Sequence, residues 1–212
     1  MSNFPENKNP ENKNSEELPP SPQAFTLAAV VFEAFLAGIA VSIGYLLDFQ
    51  VGQTFEPTWI GLGIGLAAAV PFILFFVGII YIPIGPFRRM IRLVDELVVP
   101  RFRGCHITDL LAISIAAGIG EEMLFRGLIQ GYLAELVGGS FGVGVGLVVA
   151  SLFFALMHPM TPTYALIAGL ISLCLGGIWI LTGNLLVPVV MHTFYDFAVL
   201  VYLTRIRKPR GV

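Results

Sequence analysis

The sequence predicts an all-α fold: a polytopic membrane helix bundle of about six transmembrane helices, with the N- and C-termini cytoplasmic. Three observations predict it. The 212-residue chain is 56% hydrophobic and only 12% charged, and its mean hydropathy is +0.84, far above that of a soluble domain of this length. Apolar runs long enough to cross a hydrocarbon core of ~30 Å recur along it. Most of its basic residues gather in two short clusters, a distribution that reports orientation in a bilayer and carries no nucleic-acid signature.

Residues 1 to 23 repeat the pentapeptide PENKN in tandem and continue as Pro-rich, acidic sequence. With so little to bury, they are expected to form a disordered tail. The acidic start, followed by an apolar run too long for an h-region, is unlike a signal peptide, so the tail is expected to stay attached. Residues 24–106 are expected to supply two transmembrane helices, Ala24 to Leu47 and Trp59 to Ile82, and a basic juxtamembrane segment. The connection from Asp48 to Thr58 holds no Lys or Arg, whereas the next one holds Arg88, Arg89, Arg92, Arg101 and Arg103, which places that second connection in the cytoplasm. Within it, PFRRMIRLVDELV, bounded by Pro86 and Pro100, is expected to lie as an amphipathic helix at headgroup level.

Residues 107–204 are expected to form a four-helix core, with helices near 107–136, 141–158, 163–181 and 185–204, broken at VGGS, HPMTPT and TGN. An even number of crossings returns the basic tail, residues 205–212, to the cytoplasm. The spacings Gly127/Gly131 and Gly142/Gly146 offer faces on which helices can approach closely. Cys105 and Cys174, far apart and outside any CxxC, are expected to remain unpaired.

The chemistry is expected in that core, where Glu121, Glu122, Arg126, His158, His192 and Asp196 interrupt apolar sequence. One charge at mid-bilayer costs ~2.5–3.5 kcal/mol on insertion scales, so such groups face the bundle interior and mark function by default. For any one of them, a polar contact that merely orders helices is an equally good reading; the spacing of the set argues against it. Glu122 and Arg126 stand at i, i+4 with the acid first, and Gln130 extends the stripe, which reads as a mutually compensated pair. Glu121, turned ~100° from Glu122 on an α-helix, is then the free carboxylate, suited to act as a general base. His158 is expected to close its helix ahead of Pro159, one turn after Phe154. His192 and Asp196 share a face of the last helix, which Pro188 is expected to kink near the site. Glu33, in the first helix, reads as a buried hydrogen-bonding group rather than a catalyst, and Glu135 and His106 as interfacial residues.

EEMLFR (Glu121 to Arg126) fits E-E-x-x-x-R, FALMH (Phe154 to His158) fits F-x-x-x-H, and HTFYD (His192 to Asp196) fits H-x-x-x-Asn/Asp, in that order. The chain thus resembles the CAAX protease and bacteriocin-processing family, also called the abortive-infection family, of intramembrane proteases. Its best-studied branch is the type II CAAX prenyl endopeptidase. The resemblance covers residues 107–204 and implies that Glu121 activates the attacking water with His158 beside it. It further implies that His192 and Asp196 complete the site by binding a metal or polarising the substrate carbonyl, while Glu122 and Arg126 support Glu121. The prenyl endopeptidase branch typically carries Asn at the last position, where this chain has Asp196. An ionised aspartate cannot donate to an oxyanion and more naturally ligates a metal or orients His192, which favours the broader bacterial-type branch over a prenylated substrate.

These expectations combine into an intramembrane endopeptidase in a bacterial-type plasma membrane that acts on a membrane-associated peptide or protein substrate. A Zn²⁺ ion held by Glu121, His158, His192 and Asp196 is one version. A metal-free version uses Glu121 and His158 on the water and His192 as oxyanion donor. No HExxH is present, so the arrangement is not that of a standard zincin. The alternative is a non-catalytic membrane binding, immunity or scaffold protein. A proton-coupled transporter is disfavoured because the first two helices do not repeat the later four.

Overall fold

The computed structural model describes residues 21–208, and every regular element among them is helical. The expected tail through residue 20 and the final residues 209–212 lie outside the described residues. Helix α1 (Pro22–Leu46) starts earlier than expected, because the Ser21 side chain accepts the Ala24 N–H and Pro22 occupies the first turn, where its missing N–H costs nothing. Helix α2 (Trp59–Ile80) is capped in the same way by Thr58, whose hydroxyl accepts from Gly61 N–H. The juxtamembrane segment forms α3 (Gly85–Leu93), a π-helical turn (Val94–Val98) and α4 (Val99–Arg103). Pro100 therefore does not bound it. Standing in the first turn of α4, Pro100 lets the helical path continue through the preceding π turn.

The core begins with α5 (Ile107–Glu122), a π-helical turn (Met123–Gln130) and α6 (Gly131–Val137), one unbroken helical path where a single α-helix was expected. It continues with α7 (Gly139–Leu156), α8 (Pro162–Thr182) and α9 (Leu186–Val201), which runs on as a π turn (Tyr202–Ile206). Two expectations are corrected. His158 lies beyond the end of α7, whose C-cap is Met157, and Pro188 falls in the first turn of α9, where it removes no intrahelical hydrogen bond and imposes no kink.

Among the described residues, five helices are long and apolar enough to cross a membrane: Pro22–Leu46, Trp59–Ile80, Gly139–Leu156, Pro162–Thr182 and Leu186–Ile206. The path from Ile107 to Val137 is a sixth helical body, in which α5, the π turn and α6 follow one another without interruption. Large apolar side chains, among them Leu27, Phe35, Leu74, Leu152, Leu166 and Leu181, lie on the outer surface, as a lipid-facing bundle requires. The chain is a multi-pass membrane protein.

Helix α5 packs between α1 and α9, α9 packs also on α2 and α8, and α7 packs between α6 and α8. One end of the bundle carries the connections around Asn184, whose amide bridges the Glu56 backbone. The other carries the amphipathic segment, where Arg207 grips Asp95 at 2.6 and 2.9 Å and Arg205 donates to the Arg103 and Cys105 carbonyls. Met90, Ile91, Val94 and Val99 are buried there against Ile79, Ile80, Val199 and Leu203. The apolar face of the segment is thus docked on the bundle, with its arginines outward. Cys105 and Cys174 are unpaired.

Candidate active site

A stripe on the α5 path faces α8 with a matching four-residue register. Glu122, Arg126 and Gln130 are almost completely buried. Arg126 Nη1 donates to Glu122 Oε1 at 3.1 Å, its Nη2 donates to the Ser172 carbonyl and hydroxyl at 3.0 and 2.8 Å, and Gln130 Nε2 donates to the Gly176 carbonyl at 3.3 Å. The ring of Phe154 lies 5.2 Å from the guanidinium carbon, a distance at which a desolvated cation gains from the ring quadrupole. Gly146 supports this register from α7: a side chain there would collide with the Gln130 carbonyl. The expected ion pair is present, and it leaves no net charge between the two side chains.

The pair is not self-contained, however. Glu122 Oε1 also accepts from His192 Nδ1 on α9 at 2.8 Å, a contact between helices that spacing within one helix does not reveal. Donation from Nδ1 leaves Nε2 of His192 facing Asp196 Oδ2 at 3.5 Å and Glu121 Oε2 at 3.9 Å. The second distance is too long for a direct hydrogen bond but short enough for electrostatic attraction. Glu121 Oε2 is itself buried and has no hydrogen-bond partner among the described residues, in keeping with its reading as the free carboxylate.

His158 is held differently. Its Nδ1 donates to the Phe154 carbonyl at 2.7 Å, and its ring stacks on Phe154 with centroids 4.5 Å apart and planes 17° from parallel. His192 meets the same phenyl ring edge-on at 6.2 Å. Phe154 is therefore a common platform for Arg126 and both imidazoles. Each histidine has its Nδ1 proton taken up, by a carbonyl or a carboxylate, and each keeps Nε2 for chemistry.

Glu121, His158, His192 and Asp196 line one cavity of about 320 Å³. Its remaining wall is mostly apolar, including Phe75, Phe76, Met90, Val98 and Phe102, with Tyr164 and Tyr195 as further polar-tipped members. The structure brings these four candidate residues to one cavity and sets Glu122 and Arg126 directly behind it. Glu135 and His106 are exposed. Sequence reasoning missed Ser172, which completes the Arg126 shell, and misplaced Glu33: it lines the cavity, and its Oε2 is buried without a hydrogen-bond partner. Its location in an apolar run was the signal available for Glu33; none was available for Ser172.

For zinc, the donor types and tautomers suit the ion, since both histidines present Nε2 with Nδ1 already tied. Among the described residues, however, no three His, Cys, Asp or Glu side chains gather closely enough to hold one.

Fold and site together define a polytopic membrane protein with a carboxylate–imidazole centre inside its helix bundle. Residues 104–198, somewhat less than half of the chain, match the family model described as type II CAAX prenyl endopeptidase Rce1-like, which supports membership of the CAAX protease family. Helices α1 and α2 precede the matched segment. No curated protein and no solved structure matches the chain.

Proposed function

We propose that the protein is an endopeptidase that hydrolyses a peptide bond of a membrane-associated peptide or protein substrate with water activated by Glu121. One observation carries this reading: a buried carboxylate oxygen without a hydrogen-bond partner lies 3.9 Å from His192 Nε2 on the wall of a cavity shared with His158 and Asp196. Glu121 takes a proton from water as the water oxygen bonds to the scissile carbonyl carbon, and His158 Nε2 accepts a hydrogen bond from the hydroxyl that remains. His192, oriented by Glu122 and flanked by Asp196, donates from a protonated Nε2 to the developing oxyanion. Glu121 then passes its proton to the leaving nitrogen as the carbon–nitrogen bond breaks. Asp196, an acceptor, supports His192 in this scheme.

The test is Glu121→Gln at matched membrane abundance, read by proteomics of membrane-protein termini. Termini that depend on the wild-type protein are expected to disappear. Unchanged termini and phenotype would refute the protease reading, and loss of phenotype without altered cleavage would favour a binding or immunity role.

A zinc enzyme is the second reading, favoured by the two Nε2 atoms left available. His158, His192 and a carboxylate of Glu121 or Asp196 would have to draw closer than in this structure to hold the ion, which when bound would supply positive charge that lowers the pKa of water. Metal content after purification, with chelator inhibition reversed by added Zn²⁺, is the check. Full activity in a metal-free preparation would eliminate this version.

A further inference from the structure

Helix α1 lies outside the matched family segment, yet it contributes a carboxyl group to the cavity. Glu33 lines the same wall as Glu121, His192 and Asp196. Gly120 brings the two helices together at this level: a side chain there would collide with the Glu33 backbone carbonyl, so α1 is fixed directly beside the residue that precedes Glu121. Glu121 and Asp196 both approach His192 as ionic partners. Glu33 Oε2 is buried and makes no hydrogen bond among the described residues, so it is an acceptor not committed to that triad.

A peptide bond must leave helical geometry before water can attack it, and that frees main-chain N–H groups inside an apolar cavity. Each buried N–H left unsatisfied costs ~1–3 kcal/mol. The helices that wall the cavity spend their own carbonyls on internal hydrogen bonds, so the acceptors that these helical walls offer the substrate backbone are side chains. Ser114, also on the wall, already donates to the Leu110 carbonyl.

We propose that Glu33 is a substrate-positioning residue, whose inward carboxyl oxygen accepts a hydrogen bond from one main-chain N–H of the peptide held extended in the cavity. The proposal rests on the protease reading and adds to it a substrate contact from α1. A carboxyl group accepts such a bond whether or not it is ionised, and glutamine can do the same through its amide oxygen, whereas alanine cannot.

The experiment uses the full chain in proteoliposomes and a synthetic peptide copied from a cleavage site that Glu121→Gln abolishes, with each amide flanking the scissile bond replaced in turn by an ester. Glu33→Ala is expected to lower kcat/KM by roughly tenfold, the equivalent of one hydrogen bond to a polar acceptor, and Glu33→Gln to recover most of it. One ester position is expected to cost the wild-type enzyme a similar factor and to cost Glu33→Ala nothing further, a coupling that a purely structural residue does not generate. Additive effects at every ester position, or equal losses in the Ala and Gln variants, would overturn the assignment while leaving the protease reading intact. If no cleavage depends on Glu121, both fall together.

Discussion

At Glu122 a single oxygen serves two partners, Arg126 within its own helical path and His192 on α9. Helical spacing revealed the first partner; the second depends on how far α5 and α9 slide past each other, which no local pattern encodes. The division of labour between the adjacent glutamates therefore needs restating. Glu122 is the joint between a buried cation and an imidazole, and Glu121 is the carboxylate facing the cavity. Removing one member of a buried ion pair leaves the other charge uncompensated, at a cost of about 3–5 kcal/mol. Glu122→Gln is accordingly expected to lower stability by about 3 kcal/mol, measured by denaturant unfolding in detergent, with activity falling as His192 loses its anchor. Glu121→Gln is expected to abolish cleavage while leaving the unfolding midpoint unchanged or raised, since its inward oxygen has no hydrogen bond to lose. Equal destabilisation by both variants would contradict this separation of roles.

At the level of elements, the apolar run lengths and the breaks at Val137–Ser140, His158–Thr163 and Thr182–Asn184 were legible because spanning a bilayer leaves few other ways to satisfy a backbone. The π turn at Met123–Gln130 was not. Its wider turn changes which side chains share a face, and Gly127, the one weak helix former in MLFRGLIQ, is too common a residue in membrane helices to announce it. The pairing of α7 with the α5–α6 path shows the opposite case. The Gly142/Gly146 spacing was readable, and in the structure these glycines sit against the Ala134 and Gln130 carbonyls. Gly127 and Gly131 instead meet side chains of Val51, Leu185, Phe49 and Trp179 as well as the Arg126 carbonyl. Glu33 shows where such reading stops: its place in the cavity follows from the contact between α1 and Gly120, residues remote in sequence, so its apolar neighbours alone suggested only a buried polar group.

For the whole molecule, the decisive geometry is that the cavity lies toward one end of the bundle. His158 and Met160 line it from the α7–α8 connection, Tyr164 from the first turn of α8, Met90, Val94, Val98 and Phe102 from the amphipathic segment, and Leu203 from the π turn that follows α9. That end also carries Arg88, Arg89, Arg92, Arg101 and Arg103 on its exposed surface, so the positive-inside rule predicts that the cavity lies near the cytoplasmic leaflet. Substrate is expected to enter from the cytoplasmic side. The check uses single cysteines at Gln50, in the α1–α2 connection, and at Glu96, in the amphipathic segment, both exposed positions, in a chain whose Cys105 and Cys174 are replaced by alanine and whose cleavage activity is retained. In right-side-out vesicles a membrane-impermeant maleimide is expected to label Gln50→Cys at once and Glu96→Cys only after permeabilisation. The reverse pattern would put the cavity on the external side and require its substrate to be drawn from the outer leaflet.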